Sequence, residues 1–201
     1  MRACNRGLLS SLAGLVLFGG AAAAQLPEKF VISGRAAERL NDRISINADT
    51  ARKLAMACEE IARQHNSQAV IVILDPYGQV VHQHRMDGIG YVSIIAAVNK
   101  AKTALRTRAP SVLLTNRQAR DAFTETHMLQ YDLTVQEGGF PIIVDKQIIG
   151  AIGVGGIPGG DRTPSYDEQT CARDALVAVI GPQPPLIPDL TGQVAAPARA
   201  Q

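Results

Sequence analysis

Apolar and polar positions change period several times along the chain, and each change predicts an element. From Asn47 onward, Ala51, Leu54, Ala55, Cys58, Ile61 and Ala62 recur at helical spacing, with Arg52, Lys53, Glu59 and Arg63 on the other side. Asn47 is a suitable N-cap. Ala69 to Leu74 is a continuous apolar run of strand length. Asp75-Pro76-Tyr77-Gly78 is a turn, because Pro fixes φ and Gly tolerates φ > 0. Val80 to Met86 returns as the second strand of a hairpin. Ser93 to Arg106 reads as a second amphipathic helix, with Ile94, Ile95, Val98, Ala101 and Leu105 inward. Lys100, Lys102, Arg106 and Arg108 lie in or just beyond its C-terminal half, where the helix dipole favours cations. Thr115 with Gln118 fits a capping box and opens a third helix to about Tyr131. Phe140 to Val144 and Ile148 to Val154 flank a polar break and predict a second hairpin. Ser165 with Glu168 is another capping box, opening a last helix to about Ile180.

The order is helix, two strands, two helices, two or three strands, helix. Strands that come in hairpins make a mainly antiparallel sheet, and helices must cover it, so the fold class is α+β. The chain of 201 residues is 46% hydrophobic, ordinary for one globular domain. That domain is expected over 44–180, after a mixed leader at 25–43. The stretch 181–201 holds Pro182, Pro184, Pro185, Pro188 and Pro197 without periodicity and is expected to be a disordered tail.

Residues 1–24 differ in kind. Arg2 and Arg6 precede an apolar run from Leu8 to Phe18, and Ala22-Ala23-Ala24 supplies a small-residue cleavage site. This is the layout of a cleaved signal peptide, too short in its apolar core to span a membrane comfortably. The expected location is periplasmic or secreted, with no membrane span in the mature chain. The whole chain holds 20 basic and 18 acidic residues, but both basic residues of the excess lie in the signal, so the mature chain is net neutral. Charge therefore offers no case for nucleic acid as a partner. Cys58 and Cys171 remain after cleavage, both on apolar helix faces. They read as two buried small hydrophobes, as a disulfide, or as a metal pair.

Candidate chemistry falls on three segments. On the second strand, Val80, His82, His84 and Met86 share one face, and Val81, Gln83 and Arg85 the other. Two imidazoles and a thioether could ligate a transition metal or a haem iron; the alternative is a partly covered sheet face. In the helix from 115, Phe123, His127 and Tyr131 are spaced i, i+4, i+8, with Met128 adjacent. Phe123 could pack on a planar ring, and His127 or Tyr131 could be an axial ligand; the alternative is an ordinary packed helix face. Arg85-Met86-Asp87-Gly88 closes the strand, and its guanidinium could hold a carboxylate. No CxxCH allows covalent haem attachment, no Walker lysine accompanies Gly153-Val154-Gly155-Gly156, and no G-x-S-x-G marks a nucleophile. No catalytic residue is assigned.

Four pieces in order carry a family resemblance: Asp75-Pro76-Tyr77-Gly78-Gln79-Val80-Val81, Arg85-Met86-Asp87-Gly88, Ala97-Val98-Asn99-Lys100-Ala101-Lys102-Thr103-Ala104, and Gly138-Gly139-Phe140-Pro141-Ile142 through Gly150-Ala151-Ile152-Gly153-Val154. Asp167-Glu168-Gln169-Thr170-Cys171-Ala172 fits as well. The chain resembles the GlcG/HbpS family, which includes the C-terminal domain of PduO-type proteins. The resemblance implies a profilin-like layered domain, a central antiparallel sheet flanked by helices. It also implies a homo-oligomer, haem or another tetrapyrrole as cofactor, and a role in haem or iron handling or redox sensing with a membrane sensor partner. Arg85, Met86, Asp87, Lys102, Gly138 and Gly139 match the shared motif and are expected to line a ligand pocket. His127 is the preferred iron ligand, from the helix-face reading. Two other readings stand beside haem: a binding module or enzyme for a small acidic metabolite, and an oligomeric sensory accessory protein. The glycines of the second hairpin are expected to allow close approach, of a ligand at Gly138-Gly139 or a neighbouring subunit at Gly153 to Gly156.

Overall fold

Val70-Ile71-Val72-Ile73-Leu74 is an unbroken apolar run, and all five residues are buried in a computed structural model that describes residues 27–34, 44–113, 126 and 130–184. A strand buried on both faces needs such a run, and this one is β1 (Val70–Leu74), near the middle of a four-stranded sheet. Its hairpin partner is β2 (Val80–Arg85). The second hairpin is β3 (Gly139–Val144) and β4 (Gln147–Gly155). The strand order is β2-β1-β4-β3, antiparallel throughout. Asp145 and Lys146 both take positive φ, 48° and 66°, the backbone that a tight two-residue hairpin turn requires. The α+β layered architecture is as expected.

Among the described residues three helices cover the sheet. In α1 (Ala48–Gln64), Asn47 Oδ1 accepts the Thr50 N–H at 2.8 Å, so the expected N-cap is present. The last helix, α3 (Glu168–Val179), begins later than Ser165. Its capping box is Asp167 with Thr170, each side chain accepting from the other's backbone. Glu168 is thereby released from capping, and its side chain turns inward. Cys58 of α1 and Cys171 of α3 form a disulfide with their Cα atoms 5.4 Å apart. It closes a loop spanning 113 positions, which in the chain-entropy account stabilises the fold by about 4–5 kcal/mol.

The other sheet face carries α2 (Tyr91–Thr107). Here the expected inward stripe needs correction. Ala101 is buried and Ile94, Val98 and Leu105 pack partly buried against the core as expected, but Ile95 is 43% exposed, and the other buried positions are Ala97, Lys100, Thr103 and Ala104. The reason is the glycines of β3 and β4. A Cβ on Gly153 would sit 2.0 Å from the Ala97 carbonyl oxygen, and one on Gly139 would sit 2.2 Å from that of Lys100. Helix backbone lies directly on strand backbone, and only small side chains fit that seam. The close approach expected for these glycines is therefore to the chain's own helix, not to a ligand or a neighbouring subunit. Past α3, Gln183 Oε1 accepts the Ile143 N–H at 3.0 Å and so occupies part of edge strand β3. No helix among the described residues is long and apolar enough to cross a membrane. The expected signal segment, most of the expected leader, the capping box expected at Thr115 and the stretch beyond 184 lie outside the described residues.

Candidate functional site

The register puts His84 opposite Ile71 and His82 opposite Ile73. Directly opposed residues share a face, so both histidines lie on the face covered by α1. His84 Nε2 is 3.0 Å from Glu59 Oε2. The ring N–H is not aimed at the oxygen, and neither atom makes a hydrogen bond with any described residue. Glu59 is only 6% exposed, and its other oxygen takes Arg63 Nε at 3.1 Å. These groups, with Ser67, Arg85 and Asp87, line a cleft of about 600 Å³. Met86 also borders it but is turned into the core, its sulfur accepting the Ala69 N–H at 3.3 Å. The thioether is thus spent inside the fold. Burial pushes the His82 imidazole below its ordinary value, and the neighbouring His84 and Arg52 act in the same direction. A neutral imidazole is the form that binds metal.

A second polar cluster lies at the same end of the sheet. Lys100 is 2% exposed, and its Nζ donates to Glu168 Oε2 at 2.9 Å and to the Val154 carbonyl at 3.1 Å. Arg162 donates to the same Glu168 oxygen and reaches Glu137 Oε1 at 3.3 Å. Burial pushes the Lys100 ammonium down, against the opposing pull of Glu168. Burial also pushes the Glu137 carboxyl up, with Asp167 adding to it. Gly138 is here because its φ is +105° and a Cβ would press within 2.9 Å of both the Val154 carbonyl and the Glu168 Cβ. Sequence reasoning missed this cluster. The available signal was the position of Lys100 on one stripe with Ala97, Ala101 and Ala104.

The six residues expected to share one pocket are divided among three places. Arg85, Met86 and Asp87 line the His84 cleft. Gly138 and Gly139 pack against Glu168 and Lys100. Lys102 borders a different cavity, of about 490 Å³, near the Pro76–Gly78 turn. Tyr131 is largely exposed, and its carbonyl accepts from Arg106. Phe123, His127 and Met128 lie outside the described residues. Among the described residues no three His, Cys, Asp or Glu side chains gather into a metal cage.

The profile of the family described as "Haem degrading protein HbpS-like" matches residues 46–176. This chain belongs to that family. Among curated relatives of this HbpS-like protein, Protein GlcG of Escherichia coli K12 is 30% identical over 119 residues, covering 57% of this chain and 84% of that protein. An uncharacterised 15.0 kDa protein of Citrobacter freundii is 31% identical over 114 residues, covering 56% and 80%. Among solved structures, a double-mutant form of Streptomyces reticuli HbpS superposes with a TM-score of 0.59 at 28% identity, covering 79% of this chain and 99% of that one. A complex described as PduOC with heme superposes with a TM-score of 0.58 at 24% identity, covering 68% and 96%, which bears on the fold. The layered sheet and helices of the HbpS-like protein are thus those of its structural neighbours.

Proposed function

We propose that this protein is exported and binds haem, with the His84 cleft as the seat. The observation that carries the site is the pair of buried atoms, His84 Nε2 and Glu59 Oε2, 3.0 Å apart without a hydrogen bond between them, beside a cleft of about 600 Å³. With Glu59 behind Nε2, Nδ1 is the nitrogen His84 would present to a metal, because a ligating imidazole is oriented by a carboxylate at its other ring nitrogen. Arg63 and Arg85 border the same cleft and suit carboxylate groups such as the haem propionates. Family membership and a solved relative described as a heme complex support the ligand. Bound haem would supply an iron centre for electron or oxygen chemistry; the chain's part is to orient it, neutralise its carboxylates and exclude water.

The test is a haemin titration of the chain from Gln25 onward, followed by the Soret band. Saturable binding is expected, with a shifted band in His84→Ala and an unaltered one in His127→Ala. A change confined to His127→Ala would move the seat to that residue, and no saturable Soret change in the parent protein would sink the reading. Export is supported by the charge and apolar layout of residues 1–24 and by the Cys58–Cys171 disulfide, which belongs in an oxidising compartment. The mass of the protein recovered from the periplasm or medium should correspond to a chain starting at Gln25. An unprocessed mass in the cytoplasm would contradict export.

A further inference from the structure

The turn end of the β1–β2 hairpin lies at the opposite end of the sheet from the His84 cleft. There the last turns of α2 meet the Pro76–Gly78 turn and Ile148 around a cavity of about 490 Å³. Three cations border it: Lys102, Arg106 and Arg108. The ordinary explanation for cations at a helix C-terminus is that they hydrogen-bond its last carbonyls. Among the described residues they make no such bond. The Ala104 carbonyl is met by backbone, from Arg108 N–H and Ala109 N–H. Lys102 Nζ lies 3.3 Å from Asp132 Oδ2, whose carboxylate is 65% exposed, and Arg106 donates to the Tyr131 carbonyl. The Arg108 guanidinium is exposed and makes no ion pair or hydrogen bond among the described residues. The nearby Asp75 carboxylate is already committed to the Tyr77 and Gln79 N–H groups of its own turn. Among the described residues two carboxylates, Asp75 and Asp132, against three cations leave net positive charge at the mouth, more than a helix end carrying about half a unit of charge can balance.

The remaining wall is apolar. Leu105, Ile148 and Pro76 line it, and the Tyr77 ring, 66% exposed, stands at its edge. We propose that this cavity is a second ligand site, for a small organic anion with an apolar or aromatic body and one or two carboxylates. Arg106 and Arg108 grip the carboxylates in bidentate fashion, Lys102 supplies a point charge, and the body lies on Leu105 and Ile148. The site is independent of the haem reading, since it shares no residue with the His84 cleft.

Phthalate, benzoate, succinate and inorganic phosphate, each titrated against the full mature chain by calorimetry and by thermal shift, test the site. Phthalate is expected to bind saturably with one equivalent per chain and to raise Tm. Arg108→Gln, on the exposed surface, should keep the fold and weaken phthalate by about 10-fold or more, as loss of a charged hydrogen-bond pair does. His84→Ala should leave phthalate binding unaltered. Phosphate binding as tightly as phthalate would overturn the apolar body, and an equal affinity in Arg108→Gln would overturn the site. No saturable response to any of the four would also overturn it.

Discussion

Glu59 and Glu168 are both buried carboxylates on helices packed over the same sheet face, at 6% and 4% exposure, and they are served differently. Glu168 receives Lys100 and Arg162 on one oxygen, and Lys100 is satisfied in turn by the Val154 carbonyl. That cluster is closed. Glu59 holds Arg63 on one side, while its other oxygen faces an imidazole nitrogen that is not aimed at it. The Val154 and His84 positions flank the same residue, Ile71, in neighbouring strands, so the two clusters are separated by little more than one strand. A buried charge without full partners is costly, and a fold keeps one where something else completes it. The closed cluster joins α2 to α3 around the sheet's end. The open one belongs to the candidate ligand cleft.

The largest effect should come from breaking the closed cluster. Lys100→Met removes one partner of a buried pair and is expected to cost about 3–5 kcal/mol in urea unfolding. Adding Glu168→Leu should recover part of that loss, because the stranded charge goes too. If the single variant costs less than about 1 kcal/mol, within the range of a surface pair, the cluster is not structural. Glu59→Gln removes a carboxylate already short of one partner and paired with a largely exposed Arg63, so a smaller loss, roughly 1 kcal/mol, is expected in the same measurement. A cost equal to that of Lys100→Met would erase the distinction between the two clusters.

The smallest effect is a pH dependence. The Glu137 carboxyl is held above its ordinary value of 4.5, mainly by burial. The folded state therefore binds this proton more tightly than the unfolded chain. The stability that the group contributes is full below 4.5 and is lost as pH rises through the folded value. Glu137→Gln cannot titrate. The stability of the parent protein relative to that variant should fall as pH climbs from below 4.5 toward neutrality. A difference that rises with pH would show that the attraction to Arg162 outweighs burial.

The hairpins were legible because the apolar runs at Val70 to Leu74 and around Phe140 to Val154 are short, β-branched and bounded by turn residues. The Asn47 cap and most of the α1 face were legible for the same local reasons. What escaped was decided by distant partners. Ser165-x-x-Glu168 matches a capping box in one dimension, but Glu168 is drawn inward by a lysine 68 positions away. The inward stripe of α2 was misjudged at Ile95 alone, because hydrophobicity favours Ile95 over Ala97, whereas contact between backbones favours the smaller residue. The expected single pocket came from motif residues adjacent in a pattern, and the sheet distributes them to opposite ends. The two histidines of β2 were visible from alternation alone; the buried glutamate beside one of them was not.

The seam between α2 and the sheet has a mechanical consequence. Elsewhere in a core the spacing of two layers is set by side chains, which can repack when one of them changes. Here main-chain atoms meet main-chain atoms at Gly139 and Gly153, and nothing soft lies between. The helix behaves as a bar bolted to its bed. One end of that bar, at Ser93 and Ala96, walls a cavity of about 600 Å³ that Lys100, Glu137 and Glu168 also line, and the other, at Lys102 to Arg108, walls the basic cavity. The distance between those two walls is consequently a property of the backbone, and core substitutions that spare the glycines should leave it unaltered.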